Sequence, residues 1–185
     1  MKNVEKRSRT RTALKNALID LCEEKSYYDI TVQDVCDRAQ MYRSSFYRYF
    51  ETKDEMLREI EHEYLDMTRE LTKTFRDYDP AADEAQRAVY LRELTADMEY
   101  HMKNERLCRF LLSPAGDMYF YQKMKESLAE TAMRYVRKNS RERRGEISYQ
   151  VNFFAAGFID TIHTWLQKKD LTPEQIAAFM LNMLK

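Results

Sequence analysis

Three observations predict an all-α fold. Glycine and proline number three each in 185 residues, so helices can run long and tight hairpins are few. Apolar residues recur at spacings of three and four through most of the chain, the period of one helix face. Three helix starts are also marked: Thr31 with Asp34, Thr52 with Glu55, and Thr172 with Gln175 each pair a hydroxyl with an acid or amide three residues on. The expected architecture is an N-terminal three-helix domain over 1–55 and a C-terminal antiparallel helical bundle over 56–185, about nine helices in all.

Residues 1–8 read as a flexible arm. From Arg9 to about Glu24, Leu14, Ala17, Leu18, Leu21 and Cys22 form the first apolar stripe. Tyr27-Tyr28-Asp29-Ile30 connects it to a short helix opening at Val32, whose Val32, Val35, Cys36 and Ala39 share a face. Gln40-Met41-Tyr42 turns the chain. A second short helix follows, in which Phe46, Tyr49 and Phe50 pack back and Arg43, Ser44, Tyr47 and Arg48 are left for other work. Two short helices around a tight corner, backed by a third, form a helix-turn-helix, whose second helix enters the major groove of duplex DNA.

Thr52 then starts a long helix through Met56, Leu57, Ile60, Tyr64 and Met67 to about Arg76. Asp77–Asp83 reads as a linker. Ala88, Leu91, Leu94, Met98 and Met102 mark a helix over 84–102. Asn104 is placed to cap a short one through Leu107, Cys108, Leu111 and Leu112, which Ser113-Pro114-Ala115-Gly116 ends. Asp117 caps the next, carrying Phe120, Met124, Leu128, Thr131 and Tyr135. Arg137–Gly145 is polar enough to be an exposed loop rather than a second nucleic-acid contact. The stretch 148–167 is apolar over more than one stripe, with Phe153 beside Phe154 and Ala155, Ala156 and Gly157 together. Such a helix is either central to a monomer's core or buried twice, by its own bundle and by a second copy of the chain, and the second is expected. Pro173 sits at the first position of the last amphipathic helix, 173–184, expected to share that homodimer interface.

Net charge is zero, but its distribution is not even. Lys2, Lys6, Arg7, Arg9, Arg11 and Lys15 face a single acid, Glu5, in the first fifteen residues. A basic end on a neutral protein is enough to place that end on phosphates, and it weighs against a helical adaptor that binds only protein. Cys22, Cys36 and Cys108, odd in number and inside apolar patterns, read as buried thiols in a reducing compartment. The charged N-terminus does not read as a signal peptide, and no stretch is apolar enough to span a bilayer; a cytoplasmic location is expected. His62, His101 and His163 have no zinc or metalloprotease spacing, and three glycines could hardly build a phosphate loop. No catalysis, cofactor or metal is expected.

Between Arg11 and Ile60 the sequence resembles the TetR/AcrR family of transcriptional regulators. The resemblance rests on Ala17-Leu18-Ile19-Asp20-Leu21, Thr31-Val32-Gln33-Asp34-Val35, Tyr42-Arg43-Ser44-Ser45-Phe46-Tyr47-Arg48-Tyr49-Phe50 and Thr52-Lys53-Asp54-Glu55. Phe110–Asp117 and Phe154-Ala155-Ala156-Gly157-Phe158 with Trp165-Leu166 are similar to the C-terminal domain of dihydroxyacetone kinase regulator-like members from Gram-positive bacteria. The resemblance implies that Arg43 and Ser44 face base edges, with the tilt of the second helix deciding whether Arg43 or Tyr42 reaches the bases. It implies that Ser45, Tyr47 and Lys53 hold phosphates, and that Thr31 and Gln33 reach the opposite backbone of a double-stranded operator. Two positions depart from the pattern: Gln40 stands where glycine is usual, and Tyr42 where a capping Ser or Thr is frequent.

Members of the family commonly hold a small molecule between the helices of the second domain. The candidates here are Phe110, Tyr119, Phe120, Met124, Phe154, Phe158, His163 and Trp165. Eleven Met and thirteen Tyr suit a soft interior with hydroxyls to orient a guest. No strong charge pair stands out in these helices, so the expected effector is hydrophobic or amphiphilic. The expected function is a repressor released from a palindromic operator by that effector. An activator, or a regulator that needs no effector, is the alternative on the same fold.

Overall fold

The computed structural model describes residues 2–73, 79, 81–112, 119–139 and 144–184, and the side chains of these except 2–5, 131–139, 144, 145 and 147. Among the described residues there are nine α-helices and one 3-10 turn. The chain divides into two compact units, Met1–Tyr64 with Phe110–Phe120, and Leu65–Arg109 with Tyr121–Lys185. The division between Tyr64 and Leu65 falls inside the helix Lys53–Leu71, whose apolar stripe buries Ile60 and Tyr64 on one side of it and Leu65 on the other.

The first unit holds α1 (Lys2–Cys22), the 3-10 turn Tyr27–Asp29, α2 (Val32–Arg38), α3 (Arg43–Phe46) and the beginning of α4 (Lys53–Leu71). The flexible arm expected over residues 1–8 is helical instead, from Lys2 onward. The reason is local: its first turns hold Lys, Arg and Glu, good helix formers, and no breaker. Leu14, Leu18, Val35, Cys36, Phe46, Phe50, Met56 and Ile60 are buried in the core. The Phe46 and Phe50 rings meet at 5.7 Å, and burying each contributes about 1.5–3 kcal/mol. This anchors the short α3 from behind.

The N-terminal charge is only partly external. Arg11 pairs with Glu59 and lies 4.9 Å from the centre of the Phe50 ring. Lys15 is buried and bridges Glu59 at 2.6 Å and Glu63 at 2.7 Å. Two of the six basic residues therefore tie α1 to α4, while Lys6, Arg7 and Arg9 lie exposed.

The second unit holds the rest of α4, α5 (Glu84–Lys103), α6 (Glu105–Leu111) up to Arg109, α7 (Phe120–Asn139) from Tyr121, α8 (Arg144–Lys168) and α9 (Pro173–Asn182). α4 ends at Leu71, short of Arg76. The Thr72 hydroxyl donates to the Thr68 carbonyl at 2.8 Å, a local bond that competes with extending the helix. Asp83 caps α5 by accepting from the Gln86 amide at 2.8 Å. The Asn104 side-chain amide closes α5, donating to the Tyr100 carbonyl at 2.8 Å. Thr172 and Gln175 complete a reciprocal capping box, with Pro173 at the start of α9.

α5 packs along α9 and also against α8. Leu94, Met98, Val151, Ala155, Ile159, Ile162, Ile176 and Met180 are buried. Trp165 donates to the Leu171 carbonyl at 2.8 Å, pinning the turn between α8 and α9. The Ser113–Gly116 break and Asp117 lie outside the described residues. The expected loop Arg137–Gly145 is helical at its two ends, through Asn139 and from Arg144; 140–143 lie outside. Among the described residues no helix is long and apolar enough to cross a membrane.

Candidate nucleic-acid interface

The corner between α2 and α3 is built by backbone bonds. Asp34 accepts from the Thr31 amide at 2.7 Å and Thr31 Oγ1 accepts from the Asp34 amide at 3.1 Å, so α2 starts with a complete capping box. At its other end Gln40 adopts φ 54°. The Met41 amide donates to the Cys36 carbonyl at 2.8 Å and the Gln40 amide to the Asp37 carbonyl at 3.1 Å. These two bonds form a Schellman motif, which requires one left-handed residue after the helix. Glutamine accepts the conformation that glycine adopts freely, at a cost of roughly 1 kcal/mol.

Tyr42 caps α3 with no side-chain bond, as its phenol is too long to fold back on the first turn. Its ring points outward and is 85% exposed. Arg43 and Ser44 are exposed beside it, Ser45 is half-buried and Tyr47 is exposed. The Arg43 guanidinium donates to the Tyr47 hydroxyl at 3.1 Å and sits 5.8 Å from that ring's centre. This contact raises the arginine's already high pKa. The Phe46 ring meets Tyr47 edge-on at 5.4 Å, so a buried aromatic sets the position of the exposed one.

The flanking positions are already engaged within the protein. Thr31 Oγ1 also donates to Asp34 at 2.8 Å, and the Gln33 amide donates to Asp37 at 2.7 Å. Lys53 donates to the carbonyls of Tyr27 at 2.6 Å and Ile30 at 2.7 Å, with its ammonium 4.0 Å from the centre of the Tyr27 ring. Burial lowers its pKa against the opposing pull of Asp54. Tyr27 in turn donates to Asp54. Lys53 thus closes the 3-10 turn onto the start of α4, a role the spacing of residues does not reveal.

In the second unit a cavity of about 50 Å³ opens among α4, α5, α7 and α8. Of the residues expected to line a pocket, Met124 and Phe158 do so. Phe110, Tyr119 and Phe120 belong to the first unit, where the Phe120 ring meets Tyr64 at 5.9 Å. Trp165 lines a separate open groove of about 490 Å³ beside Gly157, Thr161, Leu171 and Phe179. His163 is hydrogen-bonded to Gln167 at 3.2 Å, and Phe154 stacks edge-on with Phe153 at 6.0 Å.

The cavity also contains a charge pair that the sequence reading passed over. Asp97 and His101, one turn apart on α5, lie 3.3 Å apart and are both buried. Burial alone would lower the histidine pKa; Asp97 beside it and Cys108 outweigh that and raise it. The available signal was an acid and a histidine four residues apart inside the stripe formed by Leu94 and Met98. Arg69 completes the polar wall, donating to the Ser127 hydroxyl at 2.9 Å. All three cysteines are free and buried, and burial pushes Cys22 up to about 12.

Residues 16–60 match the sequence profile described as bacterial regulatory proteins of the tetR family. Residues 93–185 match one described as a transcriptional regulator C-terminal region. No curated protein matches the chain. Among solved structures it is similar to a TetR transcriptional regulator from Streptococcus agalactiae 2603V, with 26% identity and a TM-score of 0.67 over 100% of this chain and 98% of that one. A TetR-family regulator from Syntrophomonas wolfei str. Goettingen is 18% identical, with a TM-score of 0.63 over 95% of this chain and 93% of the other. The dihydroxyacetone kinase operon activator DhaS is 19% identical, with a TM-score of 0.57 over the same shares. With both halves matched and the outward face of α3 held by buried aromatics, the chain belongs to the TetR family of bacterial regulators, as a non-catalytic, DNA-binding regulator of transcription.

Proposed function

We propose that the protein is a homodimeric repressor that occupies a palindromic operator and leaves it when a small hydrophobic or amphiphilic effector enters the second unit. The observation that carries this reading is the first turn of α3. Tyr42, Arg43 and Ser44 stand exposed on a helix whose opposite side is locked by Phe46. Arg43 donates two hydrogen bonds to the O6 and N7 of a guanine. Tyr42 offers an apolar edge to a thymine methyl, and Ser44 a hydroxyl to a base. Ser45, Tyr47, Lys53, Thr31 and Gln33 contact phosphates, which position the protein without specifying sequence. For Thr31, Gln33 and Lys53 this means adding to or exchanging the internal bonds described above.

Dimerisation through α8 and α9 is supported by one face of these helices. Tyr149, Phe153, Phe179 and Met183 are all exposed large hydrophobics, and Gly157 between them leaves open space where a side chain would stand. Aromatic side chains flanking a small residue suit a self-complementary helical interface. A dyad through that face presents two α3 helices to two half-sites one helical turn, or a multiple, apart.

The test is selection of bound fragments from the source genome, followed by titration of effectors against the selected duplex. A dyad-symmetric site that is released by a ligand supports the proposal. Sequence-independent binding, or expression from the neighbouring promoter that falls on deletion of the regulator, overturns the repressor reading.

A further inference from the structure

We propose that the cavity of the second unit takes a compact, neutral, hydroxyl-bearing molecule, whose hydroxyl donates to Asp97. This inference rests on the effector reading above and names the chemistry of that effector. The carboxylate is 6% exposed, and its Oδ2 faces His101 at 3.3 Å. Among the described residues no protein atom donates to the other oxygen, Oδ1, although the residue lines the cavity. A buried carboxylate oxygen left without a donor is destabilising, because it has given up its water and gained no partner. A ligand that brings an O–H recovers this energy, so the acceptor selects for a donor.

The surrounding groups decide which kind of donor. A cation would approach a carboxylate already paired with His101, whose pKa is raised by that pairing, and would meet the Arg69 guanidinium on the same wall. An anion would be drawn to Arg69 but repelled by Asp97, and Arg69 is already bonded to Ser127 and to Asp66, the latter at 3.3 Å. A neutral hydroxyl avoids both penalties. Thr68 and Thr72 bring further hydroxyl oxygens to the wall, able to accept from a second O–H, as both donate their own hydrogens to helix carbonyls. Leu94, Met124 and Phe158 also line the cavity and require an apolar edge on the guest. A volume of about 50 Å³ is roughly a third of the cavity that holds benzene in a protein core, which limits the guest to a few heavy atoms.

The experiment is calorimetric titration of the full-length protein with 1,2-propanediol, propan-1-ol, propylammonium and propionate, with operator affinity measured in parallel. The diol is expected to bind tightest. Asp97→Asn is expected to weaken it at least tenfold, since the amide presents a competing N–H donor to the guest. Met124→Phe, which fills the cavity and leaves the carboxylate in place, is expected to abolish binding. Preference for either ion, diol binding indifferent to both substitutions, or a cavity occupied by water alone with all four compounds overturns the inference. If those results come with intact operator binding and release by a larger apolar effector, the regulatory reading stands and only the ligand chemistry fails. Loss of specific operator binding by the unmodified protein marks failure of the reading beneath it.

Discussion

Arg43 shows how one residue's surroundings set its use. It leans on Tyr47 through a hydrogen bond and the ring face, so the side chain is partly ordered before DNA arrives and loses less entropy on binding. Arg43→Ala is expected to cost about 1–3 kcal/mol on the cognate operator and to relax preference at one base position. Fluorescence anisotropy with single-base operator variants measures both; equal loss on random DNA refutes a base contact. Lys53 carries two burdens, the carbonyls of Tyr27 and Ile30 and the phosphate contact proposed for it. Lys53→Met is expected to lower the urea midpoint, by about 1–3 kcal/mol of stability, as the Ile30 carbonyl loses the ammonium and the Tyr27 carbonyl keeps only the Ile30 amide at 3.2 Å, and to reduce the salt slope of DNA binding by about one unit. A lowered midpoint with an unchanged slope would assign the residue to the fold alone. At Asp34, the Thr31 amide and hydroxyl and Lys25 hold the carboxyl at about 2, below the ordinary 3.8. A lowered folded pKa means the stabilisation is complete above pH 3.8 and disappears as pH falls through about 2. Asp34→Asn is therefore expected to lower Tm near neutrality, with the gap to the unmodified protein closing across that window.

Among the elements, the α2–α3 corner has the clearest local cost. Gln40 is exposed and left-handed, and the Schellman bonds leave no other conformation for it. Gln40→Gly is expected to raise stability by about 1 kcal/mol, reading as a higher urea midpoint with an unchanged m-value. No gain would mean that the glutamine side chain contributes what its backbone conformation costs. α4 shows a different lesson. Its capping hydroxyl was visible, with Thr52 accepting from the Glu55 amide at 3.0 Å. The Glu55 carboxylate, however, accepts from Glu51 rather than from the cap residue, at 2.6 Å. Capping pairs are readable because they act within four residues, and what they cannot tell is which neighbouring amide the longer side chain chooses.

For the whole molecule, the proposed dimer asks α8 and α9 to serve two surfaces. One side of α8 buries Val151, Ala155, Ile159 and Ile162 in the bundle, while Phe153 on another side is 76% exposed. That side is where the second copy is proposed to sit. Phe153→Asp is expected to convert the dimer to monomer in sedimentation velocity and to weaken operator binding by far more than a single phosphate contact does, because half-site avidity is lost. A dimer that survives the substitution with full affinity would move the interface elsewhere. α4 belongs to both units, Lys53–Tyr64 to one and the remainder to the other.

The all-α class, the capping boxes of α2 and α9, the Thr52 cap of α4 and the outward position of Arg43, Ser44 and Tyr47 were legible in the sequence. Helical periodicity and caps are local, and an amphipathic repeat says which side chains face away from a core. Only the tertiary structure decided that Arg11 and Lys15 face Glu59 and Glu63, that Lys53 closes a turn more than twenty residues earlier, and that α4, α5, α7 and α8 enclose a cavity around Asp97. Those outcomes depend on which helix faces lie against each other. Distance along the chain carries no record of that, and so an acid four residues from a histidine looked like any solvated pair until packing removed the water around it.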